Sequence, residues 1–155
     1  MDDKAQRKNK KIIVIVLIVA IVIGALCGVL LGKWISNTAF DSALVDVQTV
    51  IRNEYKNNCS ITTSDHTVFI EIWNDGMTEI AVEASNGNDS ASAIWDNVIH
   101  DVGDLAQSIS GRFSALSGAT VYLSLMNDEN PERKLISYKD KLLIYDVVSS
   151  YNIGG

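Results

Sequence analysis

The chain has 155 residues, 47% of them hydrophobic and 21% charged, with one proline, two cysteines and a formal net charge of -6. This composition excludes a disordered or collagen-like chain, a disulfide scaffold and a four-cysteine zinc site. The acidic balance excludes a generally nucleic-acid-binding protein, and the length fits one folded domain with something appended to it.

Charge and hydropathy divide the chain. Residues 1–11 hold five basic residues, Lys4, Arg7, Lys8, Lys10 and Lys11, against Asp2 and Asp3. Residues 12–32 carry no charge, and residues 34–155 hold 7 basic and 17 acidic residues, a net of -10. The reading is a basic stub (1–11), a transmembrane helix (12–35), a juxtamembrane amphipathic helix (36–58) and an α+β domain (59–155) packed with it. Twenty-one uncharged residues at ~1.5 Å rise give a rod of about 31 Å, which matches a hydrocarbon core of ~30 Å. In lipid the backbone must satisfy its own hydrogen bonds, so a single span is helical even when rich in isoleucine and valine. The run is longer than a signal peptide's apolar region and no Ala-x-Ala follows it, so it is expected to stay as an anchor. Cys27 lacks the order of residues a lipoprotein cysteine needs and is expected to sit in lipid.

Five basic residues precede the span and only Lys33 closely follows it. The N-terminus is therefore expected in the cytoplasm and the acidic domain outside the cell membrane. Lys33 and Trp34 suit an anchor at the membrane interface, one snorkelling and one aromatic. Ala20, Gly24, Gly28 and Gly32 form a stripe of small residues at every fourth position. On that stripe a second copy or a partner helix can approach closely.

Further along, Phe40, Ala43, Leu44, Val47, Ile51 and Tyr55 recur at helical spacing, which predicts a helix over 36–58. Thr67–Trp73 is β-branched and aromatic and predicts a strand, closed by the Asn74-Asp75-Gly76 turn. Met77–Ser85 fits a hairpin partner or a short helix equally well. Ser90 or Ser92 opens a long helix to about Leu116, weakened at Gly103 and Gly111 by ~1 kcal/mol each relative to alanine. Ala119–Met126 reads as a second strand, Asn127–Glu132 as a loop, and Lys134–Val148 as a hairpin about Tyr138–Lys141. Ser149–Gly155 reads as a frayed tail. The fold expected is α+β: a two-layer domain with helices on one face of a largely antiparallel sheet of three to five strands.

Ile72–Gly76, Ile94-Trp95-Asp96, Met126–Asn130, Leu135-Ile136-Ser137 and Tyr145-Asp146 resemble small, uncharacterised proteins of Gram-positive bacteria that carry one N-terminal span and a small extracytoplasmic domain. The resemblance implies a compartment and brings no activity, ligand or active site. It tilts Met77–Ser85 slightly toward helix and leaves the strand alternative open.

Residues with chemical potential are few. His66 is expected to face solvent. His100 shares a helix face with Asp96 and Asp104, which suits a metal or a solvated ion pair. Asn127–Glu132 is rich in oxygen but lacks the ligand alternation of a calcium loop. No Walker loop, GxSxG, HExxH or GxGxxG is present, so no catalytic residue, metal ligand or cofactor is assigned. Cys59 is either a buried thiol or an intermolecular disulfide. The expectation is a non-catalytic interaction or binding module. Its partners are the lipid bilayer, a homodimer or partner helix through the span, and an extracytoplasmic protein or envelope component, with no nucleic acid. A pilin-like assembly subunit and a carboxylate-based hydrolase are the alternatives.

Overall fold

A computed structural model describes residues 3–113 and 115–152, with side chains for 25, 27–113, 115 and 117–150. Helix α1 (Asp3–Tyr55) leads into β1 (Cys59–Ser64) and β2 (Thr67–Ile72). Two helices follow, α2 (Met77–Ser85) and α3 (Asp89–Arg112), then a 3-10 turn at Ala115–Ser117. The chain closes with β3 (Thr120–Met126), β4 (Lys134–Lys139), β5 (Leu142–Asp146) and α4 (Val147–Asn152).

The five strands form one sheet in chain order, β1-β2-β3-β4-β5. The expected α+β class is what the chain adopts, but the sheet is mixed. β2 and β3 are parallel, whereas the other three pairings are antiparallel. Parallel neighbours need a long crossover, and α2 with α3 supplies it. Met77–Ser85 is helix. Its buried residues Thr78, Ala81 and Ala84 fall at helical spacing.

Alternation decides which sheet face is covered. Val68, Ile70 and Ile72 of β2 pair with Val121, Leu123 and Leu125 of β3, and all six are at most 2% exposed. Ile136 and Tyr138 extend the same face onto β4. Phe40, Val47 and Ile51 of α1, Ala81 and Ala84 of α2, and Trp95, Val102, Ala106 and Ile109 of α3 complete one core with them. Val147 and Val148 of α4 pack against it. All four helices thus lie on one face, which buries enough apolar surface to hold a domain of this size.

Three elements differ from the sequence expectation. β1 was not anticipated, because Cys59 and Ile61 are its only apolar residues; pairing along all of β2 makes it a strand. α3 ends at Arg112 rather than near Leu116, with the chain extended at Phe113. The tail from Val147 begins with a helix, because Asp146 caps it. Asp146 accepts hydrogen bonds from the amides of Val148 (3.0 Å) and Ser149 (3.3 Å) and from the Ser149 hydroxyl (2.5 Å). The last hairpin turns at Asp140-Lys141, and Tyr138 and Lys139 belong to β4.

Among the described residues, no helix is long and apolar enough to cross a membrane. Most of the apolar run, residues 12–24, lies outside the described side chains, and so do Ala20 and Gly24 of the small-residue stripe. Gly28 and Gly32 have nothing within 4 Å of an added Cβ, and Lys33 and Trp34 are exposed.

Candidate binding surfaces

The sheet's second face is partly open: Thr62 and Phe69 are exposed and Tyr122 is half-buried, whereas Ser124, Met126, Leu135 and Ser137 are buried. Register sets Thr62, Phe69, Tyr122, Lys139 and Leu142 in one row across all five strands. Phe69 and Tyr122 stack with ring centroids 5.3 Å apart and planes 13° from parallel. The Lys139 ammonium lies 5.8 Å from the Tyr122 ring centre, within cation–π range. A neighbouring row holds Ser124 and Ser137, whose hydroxyls hydrogen-bond across the strands at 2.9 Å. This pair is buried, so its hydroxyls need each other.

A groove of about 940 Å³ opens where α2, the Asn127–Lys134 loop, β5 and α4 meet. Ala81, Val82, Leu135 and Val147 give it an apolar floor, while Thr78, Asn127, Glu129, Arg133, Lys134 and Ser150 supply polar groups. Apolar lining with a few polar groups is the usual make-up of a binding cleft.

One wall of this groove is tied down by Asp128. α2 begins at Gly76, which has a φ of 81° and contributes no side chain. Asp128 caps the helix from across the domain instead. Its carboxylate accepts from the Gly76 amide (2.7 Å), the Thr78 amide (2.9 Å) and the Thr78 hydroxyl. Burial pushes this carboxyl up, but the Thr78 and Gly76 donors outweigh it, and Asp128 titrates below its ordinary value. Asn127 accepts from the amides of Glu129 (2.9 Å) and Asn130 (2.6 Å). The oxygen-rich loop thus spends its acceptors on backbone N–H groups. Sequence reading gave a surface loop without calcium-loop spacing and missed the cap, because a cap supplied from 50 residues away leaves no local signature.

His66 is not solvent-facing as expected. It is half-buried, its ring centroid 4.8 Å from that of Phe40 at a tilt of 36°, with Nδ1 against the Ser117 carbonyl and Nε2 3.0 Å from Asn37 Oδ1. The Ser36 hydroxyl also donates to the Ser117 carbonyl, at 3.2 Å. This cluster fixes where α1 meets the domain. His100 lies 3.6 Å from Asp104, both side chains well exposed. Among the described residues, no three His, Cys, Asp or Glu side chains are grouped to hold a metal. Cys59 is half-buried and free, its thiol 3.4 Å from the Lys56 carbonyl.

The groove and the partly open sheet face were not found from sequence. Their parts come from four separate segments, and only the register of β3, β4 and β5 brings them together. No protein-family model matches the chain, and no curated protein or solved structure matches it.

Proposed function

We propose that the chain is a single-pass membrane protein that presents a small non-catalytic interaction module outside the cell membrane. The observation that carries this reading is the stretch at which α1 leaves the domain. Residues 27–35 are all exposed, and Val29, Leu30, Leu31 and Trp34 are 59–68% exposed. They continue the uncharged run 12–32. Bare leucine and valine along a helix favour an apolar surrounding, and a bilayer supplies one. Lys33 and Trp34 then stand at the interface, and the basic stub holds the N-terminus in the cytoplasm. The small-residue stripe from Ala20 to Gly32 offers a face for a second helix in the same bilayer. An anchored domain of this kind, with a partly open sheet face and an apolar groove, suits holding a protein or envelope partner.

The experiment is fractionation in alkaline carbonate. The full chain is expected in the membrane pellet, and a chain lacking residues 12–32 in the supernatant. Release of the full chain by carbonate refutes the anchor.

One observation favours a second reading. A continuous 53-residue helix whose C-terminal part packs on a sheet is also the plan of a pilin-like subunit. The residues before the apolar run hold no glycine, and Ala5 is the nearest alanine, so no cleavage point adjoins it. An intact mass that includes Met1–Lys11 excludes processing of the pilin kind.

A further inference from the structure

The two edges of the sheet differ. β1 lies beside α1, and its exposed residues are Thr62, Thr63 and Ser64. Among the described residues, no strand lies beyond β5. Leu142, Leu143, Ile144 and Tyr145 are 67%, 39%, 48% and 39% exposed. An edge strand offers a row of unpaired N–H and C=O groups, and proteins usually guard it with charges or proline within the strand. β5 has neither between Leu142 and Tyr145.

Charge gives a second, independent observation. Residues 34–155 hold 17 acidic and 7 basic residues, yet Arg133, Lys134, Lys139 and Lys141 all flank β5 in the hairpin that contains it. Lys139 pairs with Leu142 at one end of the edge, next to Lys141. Arg133 and Lys134 line the groove at the other end, together with Tyr145. Among the described residues, none of the four is paired with a carboxylate. Of the nearby acids, Asp140 accepts the Val121 amide (2.8 Å) and Asp146 is committed to Trp95 and α4. Glu129 is the one carboxylate among the described groove residues. The edge is therefore an apolar strand with two cations near each end, beside Asp140 at one end and the exposed Glu132 at the other, in a domain that is acidic on balance.

We infer that β5 takes up an extended segment of a partner protein as a sixth strand, apolar in its middle and acidic at both ends. The inference rests on the interaction-module reading above and names its partner. Main-chain hydrogen bonds along β5 provide affinity, and the flanking charges select the segment. The apolar middle covers Leu142–Tyr145, four residues and about 13 Å at strand spacing. Carboxylates at its ends meet Lys139 with Lys141, and Arg133 with Lys134.

The test titrates the full chain in detergent against a capped fluorescent decapeptide, Glu-Glu-Val-Thr-Val-Thr-Val-Thr-Glu-Glu. Saturable binding is expected. It should weaken at least about tenfold when the terminal glutamates become lysines, and by a similar factor in the K134E/K139E double variant. A strand pairs with an edge through every second residue. Of two peptides N-methylated at alternating positions, one should keep its affinity and the other lose it. This contrast leaves the protein untouched, so misfolding of a variant cannot mimic it. Absent binding, equal binding of the lysine-ended peptide, or equal effects of the two N-methylation patterns overturns the inference. So does a dimer formed through β5 without peptide, or competition at the same lysines by phosphatidylglycerol vesicles. A domain that is carbonate-resistant but ignores the peptide loses this inference and keeps the anchor. A domain that binds the peptide but is released by carbonate does the reverse.

Discussion

Gly103 and Gly111 sit eight residues apart on α3 and answer to different neighbours. A Cβ on Gly103 would lie 2.8 Å from the Tyr138 hydroxyl, which donates to the Ile99 carbonyl at 3.0 Å. A Cβ on Gly111 meets nothing within 4 Å. Gly111→Ala should therefore stabilise the protein by up to about 1 kcal/mol. Gly103→Ala should destabilise it by roughly 1–3 kcal/mol despite the same gain in helix propensity. Denaturant unfolding of the two variants checks this, and a stabilised Gly103→Ala would refute the close packing. Sequence alone identified both glycines as weak points in the helix, but the partner of one is on β4 and invisible to local pattern. Asp128 gives a second residue-scale prediction. Its carboxylate titrates below its ordinary value when folded, so its stabilisation is present above the unfolded pKa and is lost as pH falls through the folded one. Asp128→Asn should lower the melting temperature near neutral pH, because a neutral amide oxygen accepts these hydrogen bonds more weakly than the carboxylate does. The gap from the parent chain should close below the ordinary carboxylate range. A gap that stays constant into acid would contradict the capping role.

At the scale of elements, α1 is the case that most repays attention. Its residues Phe40, Val47 and Ile51 are at most 5% exposed and belong to the core, whereas Val45 on the same helix is 63% exposed. Ile51→Ala should cost roughly 2–5 kcal/mol, and Val45→Ala within about 0.5 kcal/mol. Similar melting temperatures for the two variants would detach α1 from the core. The amphipathic pattern of residues 36–58 was legible because burial on one side of a helix repeats every three to four residues. α3 and the strands β2 and β3 were legible for the same kind of reason. β1 was not, since a half-exposed edge strand of serine and threonine has no apolar alternation to read. α4 was hidden too: its cap, Asp146, also takes the Trp95 indole N–H at 2.9 Å, and such a tertiary tie has no sequence period. The ambiguity of Met77–Ser85 was real, and burial of Thr78, Ala81 and Ala84 on one helical side resolves it.

The whole molecule joins three parts of opposite character: a basic stub, an uncharged helical run and an acidic domain fixed to that helix through Ser36, His66 and Phe40. Few residues separate Lys33 from Phe40, about 10 Å of helix, so the domain stands close to the bilayer if the run spans it. In the proposed orientation the groove and the β5 edge lie in the extracytoplasmic space. The most direct measurement uses intact cells and a membrane-impermeant maleimide. Cys27 and Cys59 are replaced by serine, and the exposed Thr62 of β1 is replaced by cysteine as the only thiol. The account predicts full labelling of Thr62→Cys in intact cells, unchanged by permeabilisation. Labelling only after the membrane is opened would place the domain in the cytoplasm and contradict it.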